Sequence, residues 1–272
     1  MRKSGSRMMT QISANNPFGR TLRFDHAFAW EKIATLAKAR GSSITVMDYG
    51  AHDGAMLRAC LDSGLPLTAY GVDANESAIT RGMGQVRQGR GLLLGGVADF
   101  EKFREQAGGF DVVFLMGVLE HVRQQSDLLN RLRNSLRPGG SLVLSVPGRH
   151  FLSWLDFGNW KFYFPRLHKI YIEQSKGRDY YNERFVECRN GLFGDIEIGK
   201  GEHQHFSRRE MVALLEETGF EVEVVDGYGF SYRLLHNVWW LSPGPLKRLL
   251  YPAIRVDLRM GSRTELVTCA RR

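Results

Sequence analysis

The chain has 272 residues, of which 43% are hydrophobic and 24% charged, and 37 Lys and Arg against 29 Asp and Glu leave a formal net charge of +8. Such a composition is that of an ordinary globular protein and excludes collagen, coiled coil and wholesale disorder. No apolar run approaches the roughly 18 residues of a membrane span. The positive charges are scattered rather than blocked, which reads as a solvated basic surface, with an anionic partner as the other reading.

Residues 1–16, MRKSGSRMMTQISANN, are basic and polar without the apolar stretch of a secretory signal, and are expected to form a disordered tail. Cys60, Cys188 and Cys269 are odd in number and far apart, so neither a disulfide framework nor a metal site is expected, and the chain reads as cytoplasmic.

Residues 25–40 place Phe28, Ile33 and Leu36 among alanines at helical spacing, with Asp25 as the expected cap and Gly41 as the stop. ITVMDYG (44–50) is a short β-branched run ending in glycine, a buried strand. A helix over 55–64, a strand over 67–73, a helix over 76–85, a strand over 92–99 and a helix over 100–107 follow. FDVVFLMGV (110–118) is apolar nearly throughout, as a central parallel strand covered on both faces must be. A helix over 127–140 closes on Pro138-Gly139-Gly140, and SLVLSVP (141–147) is a fifth strand. Five alternations of strand and helix imply βαβ units and a doubly wound parallel sheet.

The pattern breaks at 148–206, rich in aromatics such as Trp154, Trp160, Tyr171 and Phe185 but without a clear period; a lid over a pocket is expected there. Ser207 and Glu210 then form a capping-box signature for a helix over 207–219, and 220–229 alternates as a strand. An irregular apolar insertion (230–256) precedes a last strand (263–271) that is expected to pair antiparallel at the sheet edge. The expected domains are thus the tail 1–16, a first half of the α/β domain over 17–147, the lid over 148–206, and the rest of the same α/β domain over 207–272 with the second insertion at 230–256.

In an open parallel sheet, ligands sit beyond the carboxyl ends of the strands where the strand order reverses. The loop Asp48-Tyr49-Gly50-Ala51-His52-Asp53-Gly54 lies at such an end; its glycines permit close backbone approach, and the next helix offers free amides. Asp73 ends the following strand, where a carboxylate suits two ribose hydroxyls. These two features mean a nucleoside-containing ligand; the Gly-x-Gly-x-x-Gly and phosphate-loop fingerprints are both absent. Asp99 could accept from an adenine amino group, with Phe100 against the ring.

The series VMDYGAHDG, YGVDANESAI, VADF, FDVVFLMGVLEHV and LRPGGSLVLSVP resembles class I S-adenosylmethionine-dependent methyltransferases, of the small-molecule type found in ubiquinone and menaquinone biosynthesis. The likeness covers about residues 44–147, and 205–229 is similar to the same family's later helix and strand. It implies a Rossmann-like, mostly parallel seven-stranded sheet with an antiparallel edge strand, and S-adenosylmethionine as cofactor, with S-adenosylhomocysteine as product. By position, Asp48, Gly50, Ala51, His52 and Gly54 would hold the methionine end, Asp73 the ribose with Ala74 beside the adenine, Asp99 and Phe100 the adenine, and the backbone near Met116 the amino group. His52 departs from the family, which usually has glycine there.

A proton acceptor is needed only if the acceptor group must lose a proton, and histidine suits that work near neutral pH. His205, His121 and His203 are the candidates, in that order. The expected partner is a small-molecule acceptor, methylated on a hydroxyl oxygen and with anionic groups as an option; a homodimer is a further expectation, nucleic acid is not. The other classes are an RNA or protein methyltransferase, suggested by the charge, and a non-catalytic or membrane-surface protein in which Leu234, Leu235, Trp239, Trp240 and Leu241 near Lys247 and Arg248 touch a bilayer.

Overall fold

Strand and helix alternate as the hydrophobic pattern requires. A computed structural model describes residues 12–86, 91–151, 153–229, 231–259 and 265–272. Its strands are β1 (Ile44–Tyr49), β2 (Leu67–Asp73), β3 (Leu92–Gly96), β4 (Phe110–Met116), β5 (Leu136–Pro147), a small hairpin of β6 (Leu192–Phe193) and β7 (Ile196–Glu197), then β8 (Glu221–Tyr228) and β9 (Glu265–Arg271). Seven of them form one sheet in the order β3-β2-β1-β4-β5-β9-β8. β1 to β5 pair parallel, whereas β9 pairs antiparallel with both β5 and β8, so the two late strands close the sheet edge with the expected antiparallel pairing, β8 outermost.

Every residue of β4 is buried, and its side chains alternate between two cores because successive Cβ atoms point to opposite faces. Val112, Phe114 and Met116 join Trp30, Ile33, Met56, Leu57 and Ile79 from the helices Phe24–Arg40, Ala55–Asp62 and Glu76–Met83. Val113 and Leu115 face Phe103, Leu129, Leu132, Met211 and Leu215 from the helices Phe100–Ala107, Gln125–Ser135 and Arg208–Glu217. The last of these has the expected box: Ser207 Oγ accepts from the Glu210 amide, and the Glu210 carboxylate accepts from the Ser207 amide.

Several expectations need correction. Asp25 does not cap the first helix; it lies inside the first turn, 6% exposed, paired with Arg23 and accepting from Ser145 Oγ. Of the expected tail, residues 1–11 lie outside the described residues, but Asn16 is buried and donates to the Ala27 carbonyl and Glu31. The 148–206 stretch is largely helical, with helices Phe157–Tyr163, Pro165–Lys176 and Arg178–Tyr181 followed by a π-helical turn. The 230–256 stretch likewise folds as helices Tyr232–Leu241 and Gly244–Arg259, which form a third core with Leu22, Phe24, Tyr228 and Val267. In both segments short helices packed on aromatics blur the 3.6-residue period. Leu235 and Trp239 of the supposed bilayer cluster pack against this third core, while the side chains of Leu234, Trp240 and Leu241 lie outside those described. Among the described residues no helix is long and apolar enough to cross a membrane. All three cysteines are free.

The glycine loop after β1 is held against the helix Glu76–Met83 at Gly82, where an added Cβ would overlap the Asp53 carbonyl oxygen. Helix propensity alone would favour alanine over glycine by about 1 kcal/mol, whereas overpacking costs about 1–3 kcal/mol; a rigid backbone oxygen makes the second effect win. Gly82→Ala is therefore expected to lower the urea midpoint by an amount worth about 1–2 kcal/mol. An unchanged or higher midpoint would contradict the close approach.

Candidate functional site

Past the ends of β1 and β4 the chain turns away to opposite faces of the sheet and leaves a cleft of about 730 Å³, lined in part by Gly50, His52, Asp73, Ala74, Val97 and Met116. Gly50 has φ +97°, and any Cβ there would collide with the Val118 side chain packed against it. Gly54 begins the following helix with φ +74°. His52 takes the left-handed conformation at φ +51°, so it fills a glycine position at the backbone level while its side chain stays 60% exposed. The loop is tied to β2: Gly50 and Ala51 amides donate to the Val72 carbonyl, and the Asp73 carboxylate accepts from the amides of His52 and Asn75, each at 2.7 Å. Each Asp73 oxygen keeps a second lone pair for a ligand hydroxyl.

Asp48 sits behind this loop, 3% exposed. Burial first, and then the negative charge of Asp73, push its carboxyl up to about 7, partly offset by Arg23. Ala51 is buried beneath the loop. Asp99 folds back on its own turn and accepts from the Gly96 amide at 3.0 Å. Phe100 requires correction: it is fully buried, 5.6 Å from the Tyr49 ring centroid and under the Arg131 guanidinium, so it is a core side chain and cannot meet an adenine. Val97, the first residue of the same VADF motif, lines the cleft instead.

A second cavity, of about 640 Å³, adjoins the first; Met116, Gly117, His121, Arg184 and Asp195 line both. Its far walls come from the aromatic segment, including Phe157 stacked on Trp160 at 4.1 Å, and from Tyr228 and Tyr232. Asp25 and Arg23 also line it, and although burial pushes Asp25 up, the Arg23 guanidinium beside it holds the carboxyl below its usual range. Lys161 is likewise paired with Asp195.

The three histidines converge but are not equivalent. His121 follows β4 in a short turn and lines both cavities; His203 lines the second; His205 is not among the described lining residues. His203 Nδ1 lies 2.6 Å from Asp156 Oδ2, and His205 Nε2 lies 3.2 Å from the same oxygen on the far side. His205, first choice from the sequence, thus stands behind Asp156. Buried Glu120 faces both His121 and His203. Asp156, Glu120 and Asp25 were missed; only the Glu120-His121 pair at the end of a central strand was a usable signal.

Residues 21–225 match the family described as a methyltransferase domain, and the chain belongs to that family, the class I S-adenosylmethionine-dependent methyltransferases. A ubiquinone biosynthesis O-methyltransferase of Coxiella burnetii is 29% identical over 110 residues, which cover 40% of this chain and 46% of that protein. A tRNA U34 carboxymethyltransferase of Actinobacillus succinogenes is 32% identical over 126 residues, 44% of this chain and 37% of that one. The match thus spans less than half the length of these curated relatives. In structure, an S-adenosylmethionine-dependent methyltransferase from Mesorhizobium loti aligns with TM-score 0.51 at 14% identity, over 91% of this chain and 98% of that one. One from Archaeoglobus fulgidus aligns with TM-score 0.50 at 15% identity, over 91% and 94%. Both similarities concern the fold.

The family's cofactor, S-adenosylmethionine, fits the first cleft on this chain's own features: a glycine bend at Gly50 that lines it, and a carboxylate at Asp73 with lone pairs to spare. Because the folded pKa of Asp48 exceeds its unfolded value, the folded state holds a proton that the unfolded chain releases above about pH 4. Stability from this group therefore falls as pH rises from about 4 to 7 and stays low above. Asp48→Asn is expected to be more stable than the parent at pH 8, by on the order of 2–4 kcal/mol, with the gap closing at pH 4; urea titrations at both values check this.

Proposed function

We propose that this protein moves a methyl group from S-adenosylmethionine to a hydroxyl oxygen of a small molecule. The observation that carries the reading is the second cavity, joined to the cofactor cleft at Met116, Gly117 and His121 and lined beyond by aromatic and ionisable side chains. Its size falls in the range of about 300–1,000 Å³ usual for small ligands, which favours such an acceptor over RNA or protein.

When bound, the cofactor supplies a methyl group already activated by the sulfonium. This chain's residues then position and shield. The Asp73 carboxylate takes the ribose hydroxyls, the Gly50–Gly54 loop faces the methionine end with Asp48 buried behind it, and Ala74 with Val97 flank the adenine. The helices of 148–206 act as the lid, with Phe157 and Trp160 excluding water and aligning the acceptor oxygen, which is catalysis by proximity. The acceptor hydroxyl faces the Glu120, His121 and His203 cluster on the cavity wall, where Asp156 fixes the His203 ring. The cations in this cavity are largely matched by acids, Arg23 by Asp25 and Lys161 by Asp195, which suits a polar acceptor without a high negative charge.

Calorimetry with S-adenosylmethionine should show a loss of affinity of at least about 100-fold in Asp73→Ala, as for two hydrogen bonds to a charged group; unchanged affinity would remove the ribose assignment. Trp160→Ala should keep cofactor affinity within about twofold yet depress transfer to a panel of hydroxylated small molecules. Methylation of tRNA or protein in place of that panel would favour the other reading.

A further inference from the structure

Glu120, His121 and His203 bring one carboxylate and two imidazoles to a point on the wall of the second cavity. Glu120 Oε1 lies 3.9 Å from His121 Nε2 and 3.8 Å from His203 Nε2, and one ligand atom from each of the three residues falls within 4.8 Å of the others. These separations are too long for hydrogen bonds. They are slightly wider than the roughly 3.0–3.4 Å between neighbouring ligands of one ion at bond lengths near 2.1 Å.

The tautomer of His203 points the same way. Its Nδ1 is 2.6 Å from the buried Asp156 carboxylate, so as a ligand the ring would donate there and present Nε2 toward Glu120. An imidazole held by a carboxylate on one nitrogen and free to ligate through the other is the usual outer support of a metal-binding histidine. His203 and Glu120 are 5% and 2% exposed, so an ion held between them would be shielded from water. The neighbouring trio Asp156, His203 and His205 is the weaker candidate, because its 2.6 Å contact is already a hydrogen bond.

We infer that Glu120, His121 and His203 bind a divalent transition-metal ion at the junction of the two cavities, oriented by Asp156, and that its open positions take the acceptor. Two imidazoles and one carboxylate suit Mn²⁺, Fe²⁺ or Zn²⁺. The inference deepens the methyl-transfer reading and rests on it for the acceptor. An ion with two or more open positions selects an acceptor whose hydroxyl has a second oxygen on the adjacent carbon, so that both bind together. The ion lowers the hydroxyl pKa. The hydroxyl proton leaves to solvent, the oxygen–carbon bond forms as the carbon–sulfur bond breaks, and sulfur keeps the electron pair.

The test uses the full chain, stripped with a chelator and titrated with Mn²⁺ by electron paramagnetic resonance, with Zn²⁺ as competitor. One equivalent should bind and be displaced by Zn²⁺. Glu120→Gln and His203→Gln should each weaken binding by at least about tenfold, and Asp156→Asn by about 10–100-fold. Circular dichroism and S-adenosylmethionine calorimetry on the same variants should match the parent, which separates ligation from misfolding. Absence of saturable Mn²⁺ or Zn²⁺ binding by the parent, or equal affinity in all three variants, overturns the site. Cofactor binding without metal binding would sink this inference alone, and metal binding without cofactor binding would sink the methyl-transfer reading alone.

Discussion

Where β1 meets β4 the sheet stops growing in one direction and starts growing in the other. The chain leaves β1 for β2 and β3, then crosses back to lay β4 on the free side. Right-handed crossovers send the two sets of connections to opposite faces, so no chain covers the strand ends between them. The gap cannot be filled without altering the strand order. Both cavities lie over it, with Met116 at the end of β4 contributing to each.

Burial of β4 on both faces holds that gap in place. Its side chains divide between two cores built by six helices, so neither layer can shift without disturbing the other. At the opposite end of the strand Asp111, 1% exposed, accepts from the Thr45 amide and pairs with Arg40 and Arg137, fixing the start of β4 against β1. The mouth of the cleft can then carry unfavourable features: a histidine at positive φ, and a carboxyl, Asp48, whose ionisation burial opposes. Strain of this kind persists only where the surrounding structure over-determines it.

The second cavity is built on a different principle. The segment between β5 and the Ser207-capped helix returns to the sheet through Phe206, whose amide donates to the Pro147 carbonyl. That return brings His203 beside Glu120 and Asp156, three residues from three separate stretches of chain. Asn159 clamps the arrangement, donating to the His203 carbonyl and accepting from its amide. The polar cluster is thus a product of how the insertion docks rather than of any one motif.

Signals confined to a few neighbouring residues were legible in the sequence: the strands over 44–49, 67–73 and 110–116, the glycine bend before Gly54, Asp73 at its strand end, and the Ser207 and Glu210 box. Each depends on local backbone sterics, on alternation, or on capping groups one turn apart, so the order of residues is enough. Phe100 misled because an aromatic after an acidic residue looks the same whether it faces a ligand or a core. Asp25 misled because a helix start does not show which way its carboxylate turns. The helices of 148–206, the burial of Asp25 against Ser145 and the meeting of Glu120, His121, Asp156 and His203 were decided only in three dimensions, since they rest on contacts between residues far apart in the chain, which packing selects and no local spacing records.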